Sequence, residues 1–544
     1  MRLLGALAFA ACLQGAGSEW AGSRACASCH VEIYEAYMQR PMAVSSGPAG
    51  SGLLQESFER AEFTHGRSGF RYRVLRDGAQ YFFEVEGAAG GRKIRVRRPM
   101  PYFIGSGMAA RSYVFALDGF LYQAPVAYYT GPRRWELPPG YGQYSTPYLT
   151  RRILPGCLSC HASGPQLVAR TQNRYRTPPF LEGGVSCERC HGPGAAHIRK
   201  MSAGELADGP AIVNPARLAP ERRDSVCAQC HLTGAERVAR AGRQLDTFRA
   251  GERLADFATV FVRSGGAPGM RVTSHVEKLA QSACKRASGD RLWCGSCHDP
   301  HSVPKPSEKA AWFRTKCLVC HEASACREEP VRRKANGDDC TACHMPRSTV
   351  MDADHVVFTD HSIPRRPGLA APPTPPPDAP LVRFDGAPAS PRDLGIAYAS
   401  LAGRERVAAY QQRAFDLLRE AVAAGGRDPQ ALLYLAELYK NRGDEKSAIP
   451  LYEEAMRLDP DQVGASVALG AIQADRGQWR EAIRLFDDAL SKNPALPGVR
   501  TALAMALLQI GEREAARAAL EKVLEFDPAY APAHQLLQQL RREP

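Results

Sequence analysis

The chain has 544 residues, too many for one hydrophobic core, and this length predicts at least two domains. Its formal net charge of +13 would, taken alone, fit a nucleic-acid or membrane-surface partner. Beyond the N-terminus no apolar stretch is long enough to cross a bilayer, which excludes a protein held in the membrane by spanning helices.

The N-terminus carries one charge, at Arg2, followed by a short apolar run over residues 3–13. This pattern predicts a signal peptide over residues 1–17, with cleavage after Gly17. The alternative is a lipid anchor at Cys12, because Ala-Ala-Cys at 10–12 resembles a lipobox. Either route predicts export, to the periplasm or to the outer membrane.

A β-rich insertion is predicted over residues 58–148. Three short runs within it, at 70–74, 81–85 and 93–97, alternate in polarity or are rich in aromatic residues. Asp-Gly and Gly-Gly pairs separate these runs, a pattern that predicts antiparallel hairpins. The insertion contains no cysteine.

Seven C-x-x-C-H motifs account for 14 of the 17 cysteines. From first to seventh they are Cys26/Cys29/His30, Cys157/Cys160/His161, Cys187/Cys190/His191, Cys227/Cys230/His231, Cys294/Cys297/His298, Cys317/Cys320/His321 and Cys340/Cys343/His344. Two thioether bonds to porphyrin vinyl groups need cysteines about one helical turn apart, and the histidine that follows binds the iron as its proximal ligand. The motifs predict seven covalently attached haem c groups in a cytochrome domain over residues 18–365.

Zinc sites and disulfide frameworks also use paired cysteines. Neither requires a histidine directly after the second cysteine of every pair, so seven such histidines favour haem. Each haem brings two propionates, so seven would add roughly 14 negative charges and bring the molecule close to neutral. Many arginines are then expected to pair with propionates, and nucleic acid is not expected as a partner.

Seven histidines lie outside the motifs, and His534 belongs to a helical region where a surface or packing role suffices. The other six are candidate distal ligands: His65, His197, His275, His301, His355 and His361. His197 and His301 follow a proximal histidine by only six and three residues, so each is expected to ligate a neighbouring haem. Six candidates leave one iron with either Met42 or no protein ligand, and a plain core or surface role is the alternative for Met42.

Two further cysteines, Cys284 and Cys326, belong to no motif. In an oxidising compartment a disulfide between them is one expectation, and two free thiols are the alternative.

A Pro-rich linker is predicted over residues 366–392, extended and semi-rigid. After it, Asp-Pro or Asn-Pro pairs and single glycines recur every 34 residues (Gly443, Gly477 and Gly511), each glycine followed five residues later by alanine. This period is typical of tetratricopeptide repeats, so residues 393–544 predict an α-solenoid. Three repeats are clear, at 429–462, 463–496 and 497–530, with a degenerate repeat before them and a capping helix after. The fold predicted for the whole chain is mainly α, with a haem-packed domain of little regular structure ahead of the solenoid.

Three segments resemble a known family. They are Gly-Val-Ser-Cys-Glu-Arg-Cys-His-Gly-Pro-Gly at 184–194 with His197 after it, Ser-His-Val-Glu at 274–277 with Cys-His-Asp-Pro-His at 297–301, and the stretch from His355 to His361. They are similar to the multihaem cytochrome superfamily that contains the tetrahaem cytochrome of ammonia oxidisers and hydroxylamine oxidoreductase, in a branch fused to tetratricopeptide repeats. The resemblance implies closely stacked haems with mostly bis-histidine ligation, and it supports His197, His275, His301, His355 and His361 as ligands.

Two departures from that family bear on function. Catalytic members often carry a lysine-ligated or cross-linked haem, whereas all seven motifs here end in histidine, which argues against those chemistries. Relatives often place a distal histidine after the first motif, where this chain has Met42.

Three functions follow. The leading hypothesis is an electron carrier that passes electrons between redox protein partners, with the repeats docking one of them. The second is an oxidoreductase acting on a small nitrogen or sulfur compound at one five-coordinate haem. Because the first hypothesis leads, the chain is expected to be an electron carrier rather than a catalyst. The third is an assembly scaffold built on the repeats.

Overall fold

The computed structural model describes residues 19–53, 55–205, 211–267, 269–366 and 373–542. The predicted signal peptide and Cys12 lie outside these ranges. Within them, no helix combines the length and the apolar character that crossing a bilayer requires.

Nine antiparallel strands build the insertion between the first two motifs. They are β1 (Ser46–Pro48), β2 (Glu62–Thr64), β3 (Arg71–Asp77), β4 (Gln80–Ala89), β5 (Arg92–Pro99), β6 (Tyr102–Ile104), β7 (Ala110–Leu117), β8 (Phe120–Tyr129) and β9 (Arg134–Glu136). One sheet has the order β1-β6-β7-β8-β9 and the other β2-β3-β4-β5. The predicted hairpins are present, because β3 pairs with β4 and β4 with β5.

Alternation within these strands explains their core. Tyr72 and Val74 on β3, and Phe83 and Val85 on β4, are buried, because every second side chain of a strand points to the same face. They pack with Phe103 and other apolar residues of the two sheets into one cluster.

The motif-rich part has short helices separated by loops. Its helices are α1 (Ser23–Cys26), α2 (Val31–Met38), α3 (Pro155–His161), α4 (Cys187–His191), α5 (Ala195–Ser202), α6 (Pro220–His231), α7 (His275–Ala280), α8 (Ala283–Ser288), α9 (Cys294–Cys297), α10 (Lys309–Leu318), α11 (Pro330–Ala335) and α12 (Cys340–His344). Its strands are β10 (Ala162–Leu167), β11 (Tyr175–Gly183), β12 (Glu236–Ala239), β13 (Ala258–Arg263), β14 (Arg347–Thr349) and β15 (Val357–Thr359). A mainly α chain is therefore only partly confirmed, because sheets occur both in the insertion and outside it.

The C-terminal part is a row of antiparallel helix pairs. Its helices are α13 (Pro391–Glu405), α14 (Ala408–Ala423), α15 (Pro429–Asn441), α16 (Glu445–Leu458), α17 (Val463–Asp475), α18 (Trp479–Lys492), α19 (Pro497–Gln509), α20 (Arg513–Phe526) and α21 (Ala531–Arg542). The predicted repeats are confirmed, because α15, α17 and α19 begin 34 residues apart. The recurring glycines end these first helices with positive φ angles of 78°, 71° and 82°, which glycine adopts without strain.

The segment predicted as a linker contributes to the fold. Its strand β16 (Leu381–Arg383) pairs with β13 and completes a sheet of order β12-β13-β16. Residues 367–372 of the predicted linker lie outside the described residues. Leu381 is buried with Phe261 of β13 and Ile396 of α13, and this apolar contact holds the segment against the sheet rather than leaving it as a spacer between two domains.

Both ends of the helical row contact the rest of the chain. At the first end, the buried Asp393 of α13 accepts hydrogen bonds from Arg240 (3.2 Å) and Thr259 (2.7 Å). At the far end, Phe526 of α20 belongs to the apolar cluster of the insertion. The repeats are therefore packed against two different sheets.

Candidate functional site

The seven motifs line one cavity of about 2870 Å³. Its lining includes all seven motif histidines and every motif cysteine except Cys157. Segments from the first motif at Cys26 to the seventh at His344 therefore converge on a single interior space.

Local helical geometry explains how each motif presents its side chains. In the first, third and fifth motifs the N–H of the histidine, or of the residue after it, closes a helical turn; that of His30, for example, donates to the Cys26 carbonyl at 2.9 Å. Residues at i, i+3 and i+4 of a helix lie on one face, so both cysteines and the histidine point the same way. This is the arrangement that two thioethers and a proximal ligand require.

Residues between the motif cysteines connect neighbouring motifs. Arg189 of the third motif donates to the Ser159 carbonyl of the second at 2.9 Å and to Gln229 Oε1 of the fourth at 2.7 Å. Gln229 Nε2 returns a bond to the Arg189 carbonyl at 3.3 Å. The second, third and fourth motifs are thus fixed to each other through the residues that lie between their two cysteines.

Contacts between cysteine side chains connect further motifs. Side chains interact between Cys26 and Cys187, Cys160 and Cys230, Cys227 and Cys294, and Cys317 and Cys340. These contacts join the first motif to the third, the second to the fourth, the fourth to the fifth and the sixth to the seventh. Helix α9 of the fifth motif also contacts α10, which carries Cys317 of the sixth. The seven motifs therefore form a connected row whose spatial order differs from chain order.

Two pairs of imidazoles face each other across the cavity with nearly parallel rings. The ring centroids of His30 and His197 are 6.4 Å apart at 12°, and those of His191 and His301 are 5.8 Å apart at 13°. Metal–nitrogen bonds of about 2 Å on both sides of one ion would hold two ring centres roughly 6 Å apart. Each pair therefore has the separation that ligands of a shared iron need.

Three more histidines meet further along the row. His298 and His361 have centroids 6.1 Å apart at 35°, while His275 lies 5.0 Å from both His231 and His361. Within the described chain, His161, His321 and His344 have no imidazole against them. Three proximal positions thus lack a facing histidine.

Burial favours the neutral form of six of the cavity's imidazoles, and the neutral form is the one that binds metal. Loss of solvent is the main cause that lowers their pKa, and neighbouring imidazoles add to it for His275 and His298. The pKa falls to about 3 for His275 and to about 4 for His298, and below the ordinary value for His161, His191, His231 and His361.

Hydrogen bonds fix the orientation of several rings. Nδ1 of His191 donates to the Val213 carbonyl at 2.8 Å, and Nδ1 of His344 to the Pro364 carbonyl at 2.9 Å. His361 Nδ1 is 3.0 Å from the Thr359 carbonyl. A ring held through Nδ1 leaves Nε2 free for a metal.

The charge of the lining suits carboxylate ligands. Nine arginines and Lys316 line the cavity, against six acidic residues. The Nε atom of Arg40 is buried without a hydrogen-bond partner. The cysteine pairs, neutral imidazoles and excess of guanidinium groups together fit haem c with its two propionates.

Two candidate ligands lie away from the cavity. His65 contacts Ser68 Oγ through Nδ1 at 2.8 Å in the insertion, and His355 Nε2 is 2.7 Å from Glu136 Oε2. Met42 does line the cavity, but His197 is the residue that faces the proximal histidine of the first motif. His534 is in the repeats, 2.9 Å from the Pro528 carbonyl.

Cys284 and Cys326 also line the cavity, and both are free thiols. No disulfide joins them within the described residues, and their pairing stays a prediction.

Sequence reasoning missed two buried glutamates. Glu188, between the cysteines of the third motif, is 2% exposed, and Glu277, two residues after His275, is 3% exposed. The sequence did show an acidic residue inside a haem motif and another two residues after a candidate ligand, and these positions could have been singled out.

The chain was compared with known proteins. The family model for "Cytochrome c554 and c-prime" matches residues 143–192, and two tetratricopeptide repeat models match residues 429–462 and 473–540. The multiheme cytochrome MtrA of Shewanella baltica (strain OS185) is 26% identical over 212 residues, which are 38% of this chain and 56% of that protein. The chain thus spans about half the length of this curated relative.

Solved structures similar to this chain include a crystal structure of MamA, at 21% identity and a TM-score of 0.24, covering 26% of this chain and 81% of that one. MamA from Desulfovibrio magneticus RS-1 is 21% identical, with a TM-score of 0.26, covering 29% of this chain and 86% of that one. The family models and the curated relative support a multihaem c-type cytochrome joined to tetratricopeptide repeats.

Proposed function

We propose that this chain is a heptahaem c-type cytochrome that transfers electrons between protein partners, with its repeats docking one of them. The observation that carries the proposal is that all seven proximal histidines line one cavity. Bound haem would supply a one-electron change between ferric and ferrous iron. A continuous row of motifs inside one space is what electron transfer over a long distance requires.

In this proposal four irons have two histidine ligands each. The pairs are His30 with His197, His191 with His301, His231 with His275, and His298 with His361. Ring separations of 6.4, 5.8 and 6.1 Å support the first, second and fourth pairs. His231 and His275 are closer, at 5.0 Å, and are paired because His275 is the ring that lies against His231. The irons of the second, sixth and seventh motifs would then have a proximal histidine but no distal histidine from these pairs. Met42 is not needed as a ligand of the first iron.

Haem counting tests the proposal. The chain is produced in a host with c-type attachment machinery, and the haem-to-protein ratio is measured by pyridine haemochrome absorbance and intact mass. We expect seven haems, and six in a Cys340→Ser/Cys343→Ser variant. Cys284→Ser is the matched control, because Cys284 lines the cavity outside any motif. Fewer than seven haems in the unaltered chain would contradict the proposal.

The oxidoreductase hypothesis remains a second candidate, because His161, His321 and His344 have no facing imidazole within the described residues. An iron with one histidine ligand is high-spin and can bind a small molecule. Addition of cyanide or nitrite to the oxidised protein should then shift a high-spin electron paramagnetic resonance (EPR) signal. A spectrum with low-spin signals alone would exclude this candidate.

Docking by the repeats is best tested on the whole chain. A fragment starting at residue 393 would expose Ile396 and Leu401, which are buried against Phe261 and Leu381 of the preceding sheet. Met505 of α19 is 52% exposed and offers a surface change, Met505→Glu, without disturbing a core. Partner capture that survives this change would argue against the repeat face, and capture independent of haem loading would favour the scaffold hypothesis.

Export is part of the proposal. The mature protein is expected to begin after Gly17, which N-terminal mass analysis of secreted protein would measure. Lipid attachment is the alternative, and a mature chain starting at Cys12 with added acyl mass, lost in Cys12→Ser, would replace simple cleavage.

A further inference from the structure

Glu188 lies where three functional segments meet. Its Oε1 accepts hydrogen bonds from the backbone N–H of Ala21 at 2.8 Å and of Gly194 at 2.7 Å. Its Oε2 accepts one from the N–H of Gly22 at 2.8 Å. A carboxylate that accepts three N–H groups is strongly held, because charge-assisted hydrogen bonds are about twice as strong as neutral ones.

Each donor belongs to a segment that carries a haem-binding residue. Ala21 and Gly22 directly precede α1, which leads into the first motif, and Gly194 directly precedes α5, which carries His197. Glu188 itself lies between Cys187 and Cys190 of the third motif. One side chain therefore connects the first motif, the third motif and the ring that faces His30.

Glu277 repeats this arrangement elsewhere in the row. Its Oε1 accepts hydrogen bonds from the N–H of Thr233 at 2.8 Å and of Gly234 at 2.5 Å. Thr233 follows His231 by two residues, and Glu277 follows His275 by two. The bonds therefore join the segment after the fourth motif to helix α7, where the two rings are 5.0 Å apart.

We infer that Glu188 and Glu277 are positioning residues for the haem ligands, Glu188 holding His197 opposite His30 and Glu277 holding His275 beside His231. This inference rests on the proposed haem-binding function. The donors are backbone N–H groups, whose positions are fixed by the main chain. Each carboxylate therefore sets the distance between the main-chain segment that carries it and the segments that donate to it. Loss of either carboxylate leaves buried N–H groups unpaired and frees one facing histidine.

Glu188→Gln and Glu277→Leu test the inference in the haem-loaded full chain. At Glu188, glutamine keeps the size but offers one acceptor oxygen, and its NH₂ group confronts the N–H of Ala21 and Gly194 or that of Gly22. At Glu277 both N–H groups bond Oε1, so glutamine could keep both bonds, whereas leucine removes the acceptor at similar size. We expect the haem count to stay the same while one low-spin EPR signal shifts or is replaced by a high-spin one. The two variants should alter different signals, and Glu188→Gln should raise at least one midpoint potential because a negative charge is removed.

Glu84→Gln is the matched control. Glu84 is also 3% exposed, but it pairs with Arg73 at 2.5 Å in the insertion, away from the cavity. It should lower stability and leave every haem signal and potential unchanged. If Glu188→Gln and Glu277→Leu also leave the spectra unchanged, the positioning role is wrong.

A second variant decides the case if Glu188→Gln fails to accumulate. A Cβ added at Gly194 would lie 3.3 Å from Glu188 Oε1, so Gly194→Ala moves the carboxylate by a few tenths of an ångström while keeping its charge. A shifted first-haem signal supports the inference, and an unchanged one overturns it. A low haem count in the unaltered chain would instead refute the proposed function, so the two failures are distinguishable.

Discussion

Phe526→Ala tests whether the repeats are fastened to the β-rich insertion. Phe526 is 3% exposed, and its ring centroid lies 5.9 Å from that of Tyr122. Removing a buried phenylalanine side chain costs about 3–5 kcal/mol, and the aromatic pair accounts for roughly 0.5–1.5 kcal/mol of it.

The charged contacts around this ring are weaker. Lys522 pairs with Asp118 at 2.7 Å, and Arg98 donates to the Glu525 carbonyl at 3.3 Å. These groups are partly or largely exposed, and such pairs contribute at most about 1 kcal/mol. We therefore expect a loss of about 3 kcal/mol in the free energy of unfolding, the low end of the range, because solvent can enter at a boundary between two parts of the chain.

Denaturant unfolding of the haem-loaded protein, followed by far-ultraviolet circular dichroism, measures this loss. Met505→Ala is the control, because a side chain that is 52% exposed on α19 should cost no more than about 0.5 kcal/mol. A Phe526→Ala variant within about 1 kcal/mol of the unaltered chain would refute the argument that this ring fastens the two parts.

Three further predictions concern the haem ligands, one glycine and alkaline pH. His301→Ala should convert one low-spin EPR signal to high-spin, whereas His534→Ala should change none; equal effects would contradict the proposed pairing. Gly184→Ala should sharply reduce the yield of folded protein, because its Cβ would lie 1.9 Å from a carbonyl oxygen at a φ of +75°, while Gly204→Ala, at +74° with open space, should cost only about 1 kcal/mol. Burial raises the pKa of Tyr72 to about 12, so the folded state keeps this proton when the unfolded chain has lost it, and stability should fall from about pH 10 upward. Tyr72→Phe should lessen that fall in urea titrations, and an unchanged slope would show that Tyr72 does not cause it.

The predictions that succeeded rest on local chemistry. A repeat of 34 residues has to form equivalent helix pairs, because Gly443 and its counterparts end a helix through a backbone conformation that depends on a few neighbours. The hairpins that turn at Gly78 and Gly90 likewise depend on a few neighbouring residues. The C-x-x-C-H spacing is set by the geometry of one helical turn and one porphyrin edge.

The predictions that needed more than the sequence concern which distant segments meet. Met42 is twelve residues from His30 and is the methionine that the sequence offers to the first iron, whereas the structure places His197 opposite His30 from 167 residues away. Proline content predicted an extended linker, but Leu381 finds an apolar partner in Phe261 and forms a strand. Tertiary contacts of this kind leave no periodic trace in one sequence.

The distance along the chain between His30 and His197 has a consequence for biogenesis. A ribosome adds roughly 5–20 residues per second, so about 10–30 s separate synthesis of the first proximal ring from synthesis of the ring that faces it. During that interval Glu188, which accepts the N–H groups ahead of the first motif, is also missing for most of the time. The ring that faces His30 therefore cannot close the first motif until a later part of the same molecule has been made.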